Sequence, residues 1–267
     1  MRLNKSPSLG LACIISFTSL IGIASCGGDS TESDDVRGIV VAAASNFREA
    51  FDEMGALFTD ATGISVTFVY GSSGLLREQI INGASYDVFA SANSEFIDEV
   101  LDAGIGEGGS KKTFALGRLV LWTNDSSTVP ASLDDVQLPM YRRIVIANPE
   151  TAPFGQAARD VLESLGLWDA LKDRLVLADN IGDAYRIVKT GNADIGFIAL
   201  SLVITEDSDY LKVPEDLHQP LNQTLLVLSS KVQGPAAQSF ADFVVGAQGR
   251  ETLAKFGFML PDESSPQ

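Results

Sequence analysis

The chain has 267 residues and a formal charge of −16, from 35 Asp and Glu against 19 Lys and Arg. Such acidity disfavours nucleic acid and anionic membrane as partners. One histidine and two cysteines leave too few nitrogen and sulfur ligands for a transition-metal cation site.

The N-terminus carries Arg2 and Lys5, then a mostly apolar run from Leu9 to Ala24 that ends in Ile23-Ala24-Ser25-Cys26. A basic start, an apolar centre and small residues before a cleavage point predict a secretory signal over residues 1–25. The run is short for a membrane span and interrupted by Ser and Thr. Cys26 after small residues resembles the bacterial lipobox and is expected to be the lipidated first residue; an incidental Cys behind a plain signal is the weaker alternative. Cys13 would leave with the signal, so no internal disulfide is expected. Residues 26–37, with the acidic Gly27-Gly28-Asp29-Ser30-Thr31-Glu32-Ser33-Asp34-Asp35, read as a flexible tether. Loss of Arg2 and Lys5 makes the remainder more negative still, so an anion held there must be held by close, pre-oriented dipoles. About 230 residues follow the tether, enough for one large domain or two small ones.

From residue 38 onward strands and helices alternate. Strands are predicted over 38–44, 65–70, 87–91, 114–123, 143–147, 175–178, 194–199, 210–213 and 223–230. Helices are predicted over 47–61, 74–82, 94–103, 155–165, 168–172, 182–189 and 235–255. The alternation specifies α/β architecture with largely parallel sheets. Gly117 interrupts the long run Thr113 to Thr123, as expected of a strand that bends while passing between two domains.

Four strand-to-helix junctions carry the candidate chemistry. Ser45-Asn46 follows the first strand, and Gly71-Ser72-Ser73-Gly74 the second. Ala152-Pro153-Phe154-Gly155 and Asp179-Asn180-Ile181-Gly182 open two later helices. Free N–H groups and the positive end of a helix dipole meet at such junctions, where an anion can sit. Taken alone, Ser45, Asn46 and Asn180 also read as ordinary helix caps, and Phe154 as a packing residue between lobes. Either Ser72 or Ser73 could cap the second helix while the other faces a ligand. The junctions hold no Lys or Arg; Arg48 lies one turn into the first helix. A proton-free dianion needs only donors, each worth roughly 1.5–3 kcal/mol when buried against charge.

Other motifs carry less. Gly104-Ile105-Gly106-Glu107-Gly108-Gly109 matches GxGxxG but follows a helix, so it reads as a helix stop. His218 sits in a loop, without the GxSxG of a serine hydrolase. Phe240, Phe243, Val244 and Leu253 form a core stripe on the last helix, and Trp122 and Trp168 read as packing residues.

The segments AAASNF, GSSGLLREQIINGASYDVFASA, ANPETAPFGQAA, ADNIGDAYRIVKTGNADIGFIALS and FADFVVGAQGRETLAKFGF resemble the molybdate-binding proteins of ABC importers, in the right order over residues 38 to 260. The resemblance implies a two-lobed periplasmic-binding-protein fold of type II, each lobe a mixed, mostly parallel sheet with flanking helices. Lobe I would comprise 38–117 plus 224–260 and lobe II 118–223, joined by a two-strand hinge. It implies an extracytoplasmic receptor, anchored through Cys26, monomeric and without cofactor or catalysis. The receptor would capture molybdate and tungstate and pass them to an ABC permease and its ATPase. Ser45, Asn46 and Ser73 would bind the oxyanion, with backbone N–H groups of Phe154 and Ile181. One position departs from the pattern: many members carry a Tyr where Ala199 stands, so Asn46 is expected to replace the lost donor. The alternatives are a receptor for sulfate or another tetrahedral oxyanion and, less favoured, a serine hydrolase using Ser73.

Overall fold

The computed structural model describes residues 38–228 and 234–261. The expected signal, Cys26 and the tether lie outside the described residues, as do the last two positions of the strand expected over 223–230. In chain order the elements are β1 (Ile39–Ala44), α1 (Arg48–Thr62), β2 (Val66–Gly71), α2 (Ser73–Ile81), β3 (Val88–Ser91), α3 (Glu95–Asp102), β4 (Lys112–Leu116) and β5 (Leu119–Trp122). Then come β6 (Ile144–Ala147), α4 (Pro153–Ser164), α5 (Trp168–Leu171), β7 (Leu175–Ala178), α6 (Ile181–Lys189), β8 (Ile195–Ala199) and α7 (Leu200–Val203). The last are β9 (Tyr210–Lys212), β10 (Asn222–Val227), α8 (Gly234–Val245) and α9 (Ala247–Lys255).

Two five-stranded sheets result, in the orders β2-β1-β3-β10-β4 and β7-β6-β8-β5-β9. In the first, β1 runs parallel to β2 and β3, while β10 runs antiparallel to β3 and β4. In the second, β6 runs parallel to β7 and β8, while β5 runs antiparallel to β8 and β9. The α/β reading is therefore correct, with one lobe built on each sheet.

Local sequence explains these elements. The apolar run of β1 is almost wholly buried, as a strand covered on both faces requires. On α1, Ala50, Phe51, Met54 and Phe58 are buried at helical spacing. That helix stops at Gly63, whose φ of 76° is the left-handed cap conformation and whose N–H bonds the Thr59 carbonyl at 2.8 Å. Inside the first lobe Phe47, Phe51, Phe58, Phe68, Phe114, Phe240 and Phe258 form one aromatic cluster. Trp122 is buried, its indole N–H bonded to Ser208 Oγ at 2.7 Å, and Arg159 lies over the Trp168 ring. Among the described residues no helix is long and apolar enough to cross a membrane.

Two expected elements need correction, and one element was not expected. The run expected as one strand over 114–123 is two strands in different sheets, β4 and β5, parted at Gly117-Arg118. A Cβ at Gly117 would lie 2.6 Å from Gln223 Nε2 and 2.9 Å from the Phe154 ring, so the turn needs glycine. The helix expected over 235–255 is two, α8 and α9, parted at Gly246. A Cβ at Gly249 would fall 2.2 Å from the Val244 carbonyl oxygen, so the second helix folds tightly back on the first. The short α7 was not foreseen; four buried apolar and small residues carry no period that separates them from the strand before.

Candidate functional site

In an open α/β sheet, ligands bind beyond the carboxyl ends of the parallel strands. Here the carboxyl ends of β1, β2 and β3 face those of β6 and β7. Ser45, Asn46 and Phe47 form a 3-10 turn directly after β1. All five residues expected to bind the oxyanion, Ser45, Asn46, Ser73, Phe154 and Ile181, line one cavity. Ala44, Gly71, Ser72, Ala92, Ala152 and Pro153 complete its wall.

The serines hold different bonds. Ser45 Oγ accepts the Gly182 N–H at 3.0 Å across the cleft, and Ser73 Oγ accepts the Ala92 N–H at 3.0 Å within its own lobe. A hydroxyl that accepts in this way still has its own proton to donate. Ser72 instead gives its proton to the Thr151 carbonyl of the facing lobe. No side-chain cap bond is present at α1 or α2, so the capping reading of Ser45, Asn46, Ser72 and Ser73 fails.

Asn46 is buried, and its Nδ2 donates to Gln223 Oε1 at 2.9 Å. Its backbone carbonyl accepts the Ser201 hydroxyl at 2.8 Å, a further bond between lobes. Ala199 is buried at the end of β8 and carries only a methyl group. The parts played by Ser201, Thr151 and Gln223 escaped the sequence reading, as did the bond from Gly182 N–H to Ser45. Nothing local marks Ser201, Thr151 or Gln223: each is an ordinary polar residue that tertiary folding brings to the cleft.

Two helix starts supply amides from the second lobe. On α4, Pro153 occupies the first helical position, and Gly155 and Gln156 bond back to the Ala152 carbonyl. Phe154 N–H lies in the first turn, where a helix offers no acceptor of its own. On α6, Gly182 N–H goes to Ser45, Asp183 N–H to Asn180 Oδ1 at 3.0 Å, and Ala184 N–H to the Asn180 carbonyl. Ile181 N–H belongs to the same turn, and Ile181 lines the cavity. Asn180 is thus a genuine cap, as one reading of the sequence held. Asn180→Ala should cost about 1 kcal/mol of stability in urea denaturation; an unchanged midpoint would show that the cap contributes nothing.

The electrostatics come from dipoles. None of the residues lining the cavity is ionisable. Arg48 does not reach it, because its guanidinium lies 4.3 Å from the centre of the Tyr70 ring. Burial, with the bond from Tyr70 O–H to Asp52 at 2.7 Å, pushes the Tyr70 phenol well above its ordinary range and keeps it neutral. Among the described residues no group of three or more His, Cys, Asp and Glu could hold a metal ion. The cavity volume is about 10 Å3, against about 290 and 430 Å3 in two neighbouring clefts. Organic ligands occupy roughly 300–1,000 Å3, so this cavity excludes them; its size is about that of one water-sized group.

The family described as bacterial extracellular solute-binding protein matches residues 39–259. The chain belongs to the bacterial extracellular solute-binding proteins. Such a protein works outside the cytoplasm. Among these solute-binding proteins the chain is 37% identical over 225 residues to the molybdate-binding protein ModA of Rhodobacter capsulatus, covering 83% of this chain and 88% of the relative. It is 35% identical over 248 residues to ModA of Azotobacter vinelandii, covering 90% and 94%. The solved structure of the periplasmic molybdate-binding protein of Azotobacter vinelandii superposes with a TM-score of 0.81 at 31% identity, over 84% of this chain and 99% of that one.

Proposed function

We propose that this protein captures molybdate, and tungstate with it, between its two lobes and delivers the ion to an ABC importer. The observation that carries this reading is the cavity itself. Two serine hydroxyls with protons still to give face two helix N-termini from the opposite lobe, and no ionisable group stands among them. In this reading Ser45 and Ser73 donate through their hydroxyls, Asn46 through its side chain or backbone, and Phe154 and Ile181 through backbone N–H. The names of the relatives support molybdate as the ion. A fully ionised tetrahedral dianion suits an all-donor wall, whereas a ligand that keeps a proton also needs an acceptor.

The chain passes between the sheets at Gly117-Arg118 and again before Asn222. In this reading those crossings are the hinge, and closure about it encloses the ion. The protein acts as a monomeric receptor, anchored through a lipid on Cys26. In this reading it is a receptor rather than an enzyme, and no carboxylate or imidazole lines the cavity beside Ser73.

Thermal unfolding of residues 36–267 with molybdate, tungstate, sulfate and phosphate tests the reading. A ligand at about 100 times its Kd stabilises the fold by roughly 2.7 kcal/mol, a shift of several degrees at this size. Molybdate and tungstate are expected to give that shift and sulfate none. A shift with sulfate alone would reassign the receptor to that ion, and no shift with any oxyanion would end the binding reading.

A further inference from the structure

Gln223 is fully buried at the start of β10, and its side-chain amide is fully engaged. Nε2 donates to the Leu221 carbonyl at 2.6 Å and to the Ala92 carbonyl at 3.1 Å, while Oε1 accepts from Asn46 Nδ2 at 2.9 Å. Both amide protons face carbonyls, so the amide cannot be turned over without setting oxygen against oxygen twice. Gln223 therefore always shows an acceptor to Asn46, and Asn46 must answer with N–H. Asn46 Oδ1 is left buried with no partner among the described residues. An orphaned acceptor of that kind is costly, and a freely turning Asn46 would relieve it.

Ala92 extends the arrangement. Its carbonyl takes the Gln223 amide and its N–H goes to Ser73 Oγ. One glutamine thus supports Asn46 directly and Ser73 through a single residue, by way of the two peptide groups that flank the Ala92 Cα. The pairing of β10 with β4 is irregular between Gln223 and Thr224, a bulge of the kind that re-aims a side chain. The missing Cβ of Gly117 leaves room for Gln223 Nε2, and the Gly117 N–H shares the Leu221 carbonyl at 2.9 Å.

We infer that Gln223 is the positioning residue of the oxyanion site: from the hinge strand it fixes the orientation of the Asn46 amide, one N–H of which it holds, and it keeps Ser73 in register. The inference rests on the oxyanion reading of the cavity. Gln223 touches no ligand and acts through Asn46 and Ser73.

A double-mutant cycle reads this coupling. Molybdate binding is measured by calorimetry for the parent, Asn46→Ala, Gln223→Leu and the double variant. Each single change is expected to weaken binding by about tenfold or more, the worth of one hydrogen bond to charge. Together they should weaken it by clearly less than the product of the two, because Gln223 acts partly through Asn46. A product-like loss, or Gln223→Leu binding as tightly as the parent, would overturn the inference. Side-chain amide NMR of the parent decides independently of ligand and of how the variants fold. Both Gln223 amide protons are expected near Ala92 and Leu221 and protected from exchange, with one Asn46 amide proton near Gln223. Gln223 protons facing Asn46 would overturn the orientation. If the parent binds no oxyanion, the functional reading falls, and the NMR result still decides how Gln223 holds Asn46.

Discussion

Gly74→Ala is expected to weaken molybdate binding by about ten- to hundredfold while leaving each lobe folded. An ideal Cβ at Gly74 would sit 2.7 Å from the Thr151 carbonyl oxygen and 3.1 and 3.2 Å from two further Thr151 backbone atoms. Thr151 belongs to the facing lobe and cannot swing aside like a long side chain. Its N–H and that of Ala152 both bond the Asn148 carbonyl, at 3.2 and 2.9 Å. The same Thr151 carbonyl accepts the Gly74 N–H at 2.8 Å and the Ser72 hydroxyl, so the new methyl group would displace two ties between lobes. Overpacking of this kind costs about 1–3 kcal/mol, which is the stated range in affinity. Within α2 itself alanine is the better helix former, so the lobe should not lose stability. Calorimetry gives the affinity and small-angle scattering the separation of the lobes. Parent-like binding by the variant would mean that closure does not require contact at Thr151.

Phe51→Ala should lower stability by about 3–5 kcal/mol, the range for deleting a buried aromatic side chain. Phe51 has no exposed surface. It stacks on Phe47 with centroids 4.8 Å apart, and meets Phe68, Phe114 and Phe240 at 5.7, 5.9 and 6.1 Å. Those rings come from the turn after β1, from β2, from β4 and from α8, so the cavity would open where four elements meet. At about 2–4 °C per kcal/mol for a chain of this size, the melting temperature should fall by roughly ten degrees. Binding should suffer as well, because Phe47 ends the turn that carries Ser45 and Asn46. A loss below about 1 kcal/mol would mean that the neighbouring rings close over the gap.

The strands and helices were legible because each has its own period and punctuation. β1 is a continuous apolar run, α1 repeats its apolar residues at helical spacing, and Pro153 and Asn180 mark helix starts. The candidate residues were legible for a related reason: each stands where a strand ends and a helix begins. What stayed hidden depends on contacts between distant segments. Asn46 and Gln223 are 177 residues apart, and a glutamine in a strand run gives no hint that it faces inward. Ser72 and Ser73 are neighbours of similar chemistry, and only the position of Thr151 separates the tie between lobes from the hydroxyl that keeps its proton. The division of residues 235–255 into two helices was invisible because Gly246 and Gly249 are tolerable within a helix until folding back brings carbonyls onto them.

β10 lies between β3 and β4, although more than a hundred residues separate it from either in sequence. The first sheet therefore keeps an open slot until residues 222–227 arrive, after the whole second lobe has been made. Until then the edges of β3 and β4 have no mate on that side. Closing so long a loop is slow in comparison with local pairing. For a protein that works outside the cytoplasm, this ordering leaves the first lobe incomplete through most of the chain's synthesis. The last strand to emerge is the one that ends that interval.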